Sequence, residues 1–96
     1  GFELIARNWR YSHYELDLIM KEGKDLVFVE VKSRSSASFG WPEQSINASK
    51  RLFLKKAVQE YLYQNNNVLE FRFDIISIIY TKEGPQIEHI KDFFIP

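Results

Sequence analysis

The chain has 96 residues, and its 13 basic and 13 acidic side chains leave no formal net charge. A sequence of this length predicts one small domain over residues 1–96, and 45% hydrophobic with 16% aromatic content favours a folded core over disorder. The absence of cysteine excludes disulfides and thiolate metal sites. No apolar run reaches the roughly 20 residues of a membrane span, and no signal peptide opens the chain, so we expect a cytoplasmic protein without membrane association.

Strands dominate the first third of the chain. A first strand is predicted over residues 2–11, where the alternation of apolar side chains is imperfect. A β-hairpin then joins residues 14–21 to residues 25–34, because two runs rich in β-branched residues flank the Glu-Gly-Lys-Asp turn at 22–25. Charged side chains interrupt both apolar runs, and their positions carry the functional argument.

The register of this hairpin decides which charged residues meet. If the Gly-Lys pair at 23–24 forms a two-residue loop, Asp17 lies opposite Glu30, and Glu15 lies opposite Lys32. All four side chains then share one face of the hairpin. A slip by one residue or a bulge would separate them.

Two carboxylates opposed within apolar strands repel each other and are costly to bury, so they require a cation. Lys32 supplies one positive charge, and a hard divalent metal with oxygen ligands is the natural second. The same spacing also fits a structural ion pair of Lys32 with Asp17 or Glu30 on a solvated face. The residues by themselves leave both interpretations open.

The second half of the chain predicts one helix and two strands, at residues 48–64, 69–80 and 87–95. Ser45 or Asn47 can cap the helix, whose apolar residues follow the helical period. The first of these strands is apolar on both faces after Asp74, which indicates a position inside the sheet. Asp74 shares a face with Arg72, which favours a structural ion pair. A turn at 83–86 leads to the last strand, which we expect at an edge.

Basic residues are concentrated between positions 32 and 56, where six lysine and arginine side chains stand against Glu43 alone. This asymmetry permits a phosphate-binding surface on a neutral protein, although the same residues fit a solvated helix face. Phe39 and Trp41 follow the hairpin and can either stack on bases or anchor a loop to the core. The candidate nucleic-acid-binding residues are Arg34, Lys50, Lys55 and Lys56.

The predicted hairpin carries Asp17 on its first strand and Glu30-Val31-Lys32 on its second. This order resembles the PD-(D/E)XK nuclease signature. Over nearly the whole chain the sequence is similar to the YraN-like bacterial family of predicted endonucleases, which in turn resembles archaeal Holliday-junction resolvases. The matching segments are residues 7–10, 15–19, 26–34, 39–40 and 72–74. One departure is Tyr14, where the family usually has glycine.

The resemblance implies an α/β domain with a restriction-endonuclease-like mixed β-sheet, a flanking helix, and a further helix before residue 1 that carries another acidic residue. It implies a metal-dependent endonuclease acting on phosphodiester bonds of structured or branched DNA, with Mg²⁺ as cofactor and Mn²⁺ as its substitute. Asp17, Glu30 and the Val31 carbonyl would hold the metal. Lys32 would orient the attacking water and offset phosphate charge, and Glu15 would assist.

A second class of function is a non-catalytic module that binds nucleic acid or assembles as a dimer while keeping the nuclease fold. Related resolvases act as dimers on symmetric junctions, so the resemblance also suggests a homodimer. His13 and His89 are isolated in the sequence, which argues against a zinc site or a histidine-based nuclease. The residues do not choose among branched, flapped or single-stranded DNA and RNA.

Overall fold

The computed structural model describes residues 2–35, 47–65 and 70–93. This part of the chain forms one five-stranded β-sheet and one α-helix. In chain order the elements are β1 (Phe2–Tyr11), β2 (Tyr14–Glu22), β3 (Asp25–Ser35), α1 (Ala48–Gln64), β4 (Glu70–Thr81) and β5 (Gly84–Ile90). The helix of the described residues is neither long nor apolar enough to cross a membrane.

The strands lie in the sheet in their chain order, from β1 at one edge to β5 at the other. Three neighbouring pairs are antiparallel, and β3 and β4 alone are parallel in the described sheet. Parallel neighbours need a long crossover, and α1 lies within that connection. The predicted mixed sheet with a flanking helix is therefore confirmed as a mostly antiparallel five-stranded sheet with one helix.

The β2–β3 hairpin has the predicted register from its turn to the pair formed by Leu18 and Val29. Glu22 pairs with Asp25, so Gly23 and Lys24 form a two-residue loop. Gly23 adopts a φ of 60°, a left-handed conformation that glycine reaches without the steric cost of a side chain. The tight turn thus fixes which residues of the two strands face each other.

Helix α1 begins at an asparagine cap. The Asn47 Oδ1 atom accepts a hydrogen bond from the Lys50 backbone N–H at 2.9 Å, which satisfies a donor of the first turn. Asn47 is therefore the cap, and Ser45 lies outside the described residues. One helix face is buried against the sheet. The core under it contains Leu16, Ile19, Leu26, Phe28, Leu54, Ala57, Val58, Tyr61, Phe73 and Ile75.

The last strand begins three residues earlier than predicted. Thr81 pairs with Gly84, so the turn lies at residues 82–83 instead of 83–86, and β5 ends at Ile90. The Gly-Pro dipeptide was a misleading turn signal, because an edge strand tolerates a proline that lacks the ladder N–H. β5 is at the sheet edge, as expected, and β4 pairs on both sides. Residues 94–95 of the predicted strand, and Phe39 and Trp41, lie outside the described residues.

Asp74 is fully buried on the sheet face opposite the helix. Its carboxylate accepts hydrogen bonds from Arg72 Nε at 3.0 Å, from the Asp92 backbone N–H at 2.9 Å, and contacts His89 Nε2 at 2.7 Å. Arg72 also bonds Glu22 at 2.8 Å. This cluster ties β4 to β5 and to the β2–β3 hairpin, which confirms the predicted structural ion pair. Burial alone would raise the pKa of Asp74, but hydrogen bonds from Arg72, Asp92 and His89 outweigh it and lower that pKa.

We expect Asp74→Asn to destabilise the protein by about 3–5 kcal/mol at pH 7, because Arg72 would lose its buried partner. Since the pKa of Asp74 is lowered on folding, its contribution is present above the unfolded pKa of about 3.9 and is lost as the pH falls through the folded value. The difference in free energy of unfolding between Asp74→Asn and the wild type should therefore become smaller in acid.

Urea unfolding at pH 7 and pH 3 measures this difference. Asp92→Asn is the matched control, because the Asp92 side chain is exposed and its backbone N–H makes the contact. That control should shift stability by less than about 0.5 kcal/mol. Equal losses in the two variants would contradict the structural role of the Asp74 carboxylate.

Candidate functional site

Strands β2 and β3 separate at the predicted site. Their ladder runs from the hairpin turn to the pair formed by Leu18 and Val29. Beyond it, the Val31 backbone N–H donates to Asp17 Oδ2 at 2.9 Å. In a regular antiparallel ladder that N–H would bond a backbone carbonyl of the partner strand. The Asp17 carboxylate replaces this acceptor, so it is held in the gap between the two strands.

An irregularity in β2 accompanies this separation. Leu16 and Ile19 are both buried in the core beneath α1, although a regular strand would direct residues three apart to opposite faces. Such irregularities bend a strand and redirect its side chains, and they are frequent beside functional sites. Here the irregularity falls around Asp17 and keeps its carboxylate in contact with Glu30.

Glu30 is the centre of the site. Its side chain is only 4% exposed, and the parallel pairing with Ile75 places it on the helix-covered face of the sheet. The Glu30 Oε2 atom lies 3.5 Å from Lys32 Nζ and 3.4 Å from Lys50 Nζ. Lys32 follows on the same face of β3, while Lys50 comes from the first turn of α1. One carboxylate oxygen therefore receives two ammonium groups.

The pKa of Glu30 is raised above its ordinary value. Burial is the largest cause, and a hydrogen bond and charge repulsion with Asp17 add to it. Lys50 and Lys32 act in the opposite direction without cancelling the shift. The two lysines therefore do not fully offset the cost of burying the Glu30 charge beside Asp17, and this condition favours binding of a further cation.

The donor set fits a hard divalent cation. Asp17 and Glu30 supply two carboxylates, and the part of the chain that the structure describes contains no group of three or more Asp, Glu, His or Cys side chains suited to a metal. Mg²⁺ is often held by one or two carboxylates together with waters and substrate phosphates. The Val31 N–H is directed at Asp17, and strand geometry directs its carbonyl to the same side.

Glu15 is separate from this cluster. Its carboxylate pairs with Arg10 Nε at 2.8 Å, across the β1–β2 hairpin. The expected position opposite Lys32 is not formed, because the β2–β3 ladder ends before it and the irregular segment of β2 intervenes. Glu15 thus forms a surface ion pair with Arg10 instead of lying opposite Lys32.

The predicted basic residues do not form one surface. Lys56 is exposed, and Lys55 lies on another side of α1, where it lines a cavity with Val58 and Gln59. Arg34 is half-buried near the end of β3. Lys50 contacts the Glu30 carboxylate from the first turn of α1, and its side chain is about one-third exposed.

The sequence suggests a phosphate-binding surface or a solvated helix face for Lys50, whereas the structure places Lys50 at the start of the helix face that packs on the sheet. Residues 50, 54, 57 and 61 follow the spacing of a single helix face, and the last three belong to the core. A lysine at the first position of that stripe points towards the sheet. This spacing was the available signal for Lys50 as a site residue, since a lysine on the sheet-facing side of a helix favours a carboxylate partner.

The fold and the site define a small mixed α/β protein in which a buried glutamate lies beside a half-buried aspartate and two lysines. The profile described as "Uncharacterised protein family UPF0102" matches residues 1–78. The chain belongs to this family, which is the YraN-like family that its motif resembles.

Relatives extend the match to almost the whole chain. The UPF0102 protein of Flavobacterium psychrophilum is 40% identical over 94 residues, which cover 98% of this chain and 79% of that relative. For the UPF0102 protein of Christiangramia forsetii the identity is 42% over 93 residues, or 97% and 78% of the two chains. For that of Rhodococcus opacus it is 40% over 96 residues, or 98% and 81%.

We expect Glu30→Gln to raise the melting temperature of the metal-free protein at neutral pH, because it removes a buried charge whose cost the two lysines do not fully offset. Since the pKa of Glu30 is raised on folding, the wild type is relatively stable below the unfolded pKa of about 4.3 and loses stability as the pH rises through the folded value. The difference in melting temperature between Glu30→Gln and the wild type should therefore vanish near pH 4.

Melting curves with and without Mn²⁺ complete the test. Mn²⁺ at about 100 times its Kd should stabilise the wild type by about 2.7 kcal/mol and leave Glu30→Gln unchanged. Glu88→Gln, on the exposed edge strand, should respond to Mn²⁺ as the wild type does. Stabilisation of Glu30→Gln by Mn²⁺ equal to that of the wild type would show that the metal binds elsewhere.

Proposed function

We propose that this protein is a metal-dependent endonuclease that hydrolyses phosphodiester bonds in nucleic acid, with structured or branched DNA as the expected substrate. The observation that carries the proposal is the Asp17–Glu30 contact with two lysine ammonium groups on one Glu30 oxygen. The mixed sheet, with its helix in the crossover between parallel strands, is consistent with a restriction-endonuclease-like arrangement. A cytoplasmic location belongs to the same proposal.

Each residue has a role that follows from its position. Asp17, Glu30 and the Val31 carbonyl would hold Mg²⁺, or Mn²⁺ as its substitute. The bound ion would stabilise negative charge on the phosphoryl oxygens and lower the pKa of water. Lys32 is one-third exposed beside Glu30, so its ammonium can reach both a water molecule and a phosphate. Lys50 supplies a second positive charge from the helix side.

A non-catalytic nucleic-acid-binding or dimeric assembly module is the second candidate. The observation in its favour is that Glu30 already has two lysine partners, so the ion pairs can serve the fold without a metal. Glu15, which the enzyme reading expects near Lys32, pairs with Arg10 instead. Metal binding and cleavage separate the two candidates.

For the enzyme, we expect Lys32→Ala to abolish Mg²⁺-dependent cleavage while keeping the fold, metal binding and nucleic-acid affinity. A single exposed cation contributes about 1 kcal/mol or less to binding, whereas a charge that acts on the transition state affects the rate directly. Asp17→Asn and Glu30→Gln should lose cleavage and metal binding together. Cleavage assays and Mn²⁺ titrations on the full-length protein measure both effects.

The assays should cover branched, flapped and single-stranded substrates. Glu88→Gln serves as a control that retains activity. If the wild type binds Mn²⁺ at neither carboxylate and cleaves none of these substrates, the binding module is the correct interpretation. Cleavage that survives Lys32→Ala would remove that lysine from the mechanism.

The salt dependence of DNA affinity tests the basic residues separately. If Lys55 and Lys56 contact phosphates, Lys55→Gln with Lys56→Gln should weaken binding and lower the slope of log K against log salt by about 0.9 for each lost contact. Lys50→Gln is measured separately, because Lys50 contacts Glu30 and its removal would also change the charge balance of the site. Lys82→Gln, an exposed turn lysine, is the matched control. An unchanged slope in the double variant would mark Lys55 and Lys56 as a solvated face.

A further inference from the structure

Three aromatic rings contact one another beside the candidate site. The rings of His13 and Tyr14 are 4.3 Å apart between centroids and inclined by 34°. Phe53, from the second turn of α1, lies 5.0 Å from Tyr14 and 5.9 Å from His13. We call His13, Tyr14 and Phe53 the ring cluster. It joins the tip of the β1–β2 hairpin to the helix.

Lys50 connects the ring cluster to the carboxylates. Its Nζ atom lies 5.3 Å from the centre of the Phe53 ring and 3.4 Å from Glu30 Oε2. The centre of the Phe53 ring is therefore no farther from Glu30 Oε2 than the sum of these two distances. Nucleotides in a stacked strand are about 3.4 Å apart, so the cluster is within about three nucleotides of a phosphate bound at the lysines beside Glu30.

The outer part of the cluster is available to a ligand. Tyr14 packs against the core, but His13 is exposed at the tip of the two-residue loop that it forms with Ser12. An exposed imidazole on top of Tyr14 adds little to the buried core. Arg10, paired with Glu15, lies beside His13 and Tyr14, and Lys50, paired with Glu30, lies against the Phe53 ring. Aromatic faces with neighbouring cations are the features that bind single strands of nucleic acid.

We propose that the ring cluster is a stacking subsite for one unpaired base of the strand whose phosphate is bound by Lys32 and Lys50 beside Glu30. The substrate then has an unpaired nucleotide within about three positions of the scissile bond, as in a flap or a single strand. A base inside a continuous duplex would first have to leave its stack. This inference rests on the proposed nucleic-acid function and specifies its substrate class.

The test uses a short single-stranded DNA that carries one 2-aminopurine, whose fluorescence falls when the base stacks, and the same strand in a duplex. Binding to the full-length protein is measured in EDTA and again with Ca²⁺. We expect tighter binding of the single strand, with quenching. His13→Ala and Phe53→Leu should each weaken that binding about 5- to 150-fold and reduce the quenching. Tyr63→Leu, which removes an exposed ring near the far end of α1, should bind as the wild type does.

The possible results separate the two proposals. If the wild type binds DNA but His13→Ala binds and quenches equally well, the rings only pack against each other and the subsite is overturned, while the nuclease proposal stands. Equal affinity for single strand and duplex would also overturn the subsite. If the wild type binds no DNA in either buffer, both proposals fail. His13 is exposed, so its variant decides the question even if Phe53→Leu is unstable.

Discussion

The burial of the Glu30 carboxylate is the constraint around which the site is arranged. An ion of this kind loses several kcal/mol of hydration when it enters the protein, and only neighbouring charges and hydrogen bonds can offset that loss. Lys32 is two residues along the same strand, but Lys50 reaches Glu30 only if α1 begins directly above it. The crossover between the parallel strands places the helix there. The crossover that the sheet topology requires therefore also supplies the second lysine of the site.

The two buried acids of the sheet illustrate opposite solutions. Val29 pairs with Asp74 and Glu30 with Ile75, so the two carboxylates occupy adjacent levels on opposite faces. Asp74 has an arginine, a histidine and a backbone donor, and its pKa is lowered. Glu30 has two lysines at longer range and a second acid beside it, and its pKa is raised. An acid with short hydrogen bonds stabilises the fold, whereas an acid whose pKa is raised by burial and a second carboxylate is suited to bind a cation.

Local chemistry in the sequence was sufficient for much of the fold. The tight turn at Gly23 fixed the hairpin register, and the helix bounds followed from the cap and the apolar period. The contacts of Glu15 and Lys50 were not predicted, since they depend on an irregularity in β2 and on how α1 is placed over the sheet. The start of β5 was missed because Gly84 and Pro85 have turn propensity, which pairing with β4 overrides.

The charges at the site also bear on the choice between an enzyme and a structural ion pair. Asp17, Glu30, Lys32 and Lys50 together carry no net charge, so the cluster is balanced as it stands. A divalent cation on the carboxylates would make both ammonium groups surplus, and surplus cations beside a metal attract phosphate. In the proposed enzyme, metal and phosphate would therefore bind together, each increasing the affinity for the other.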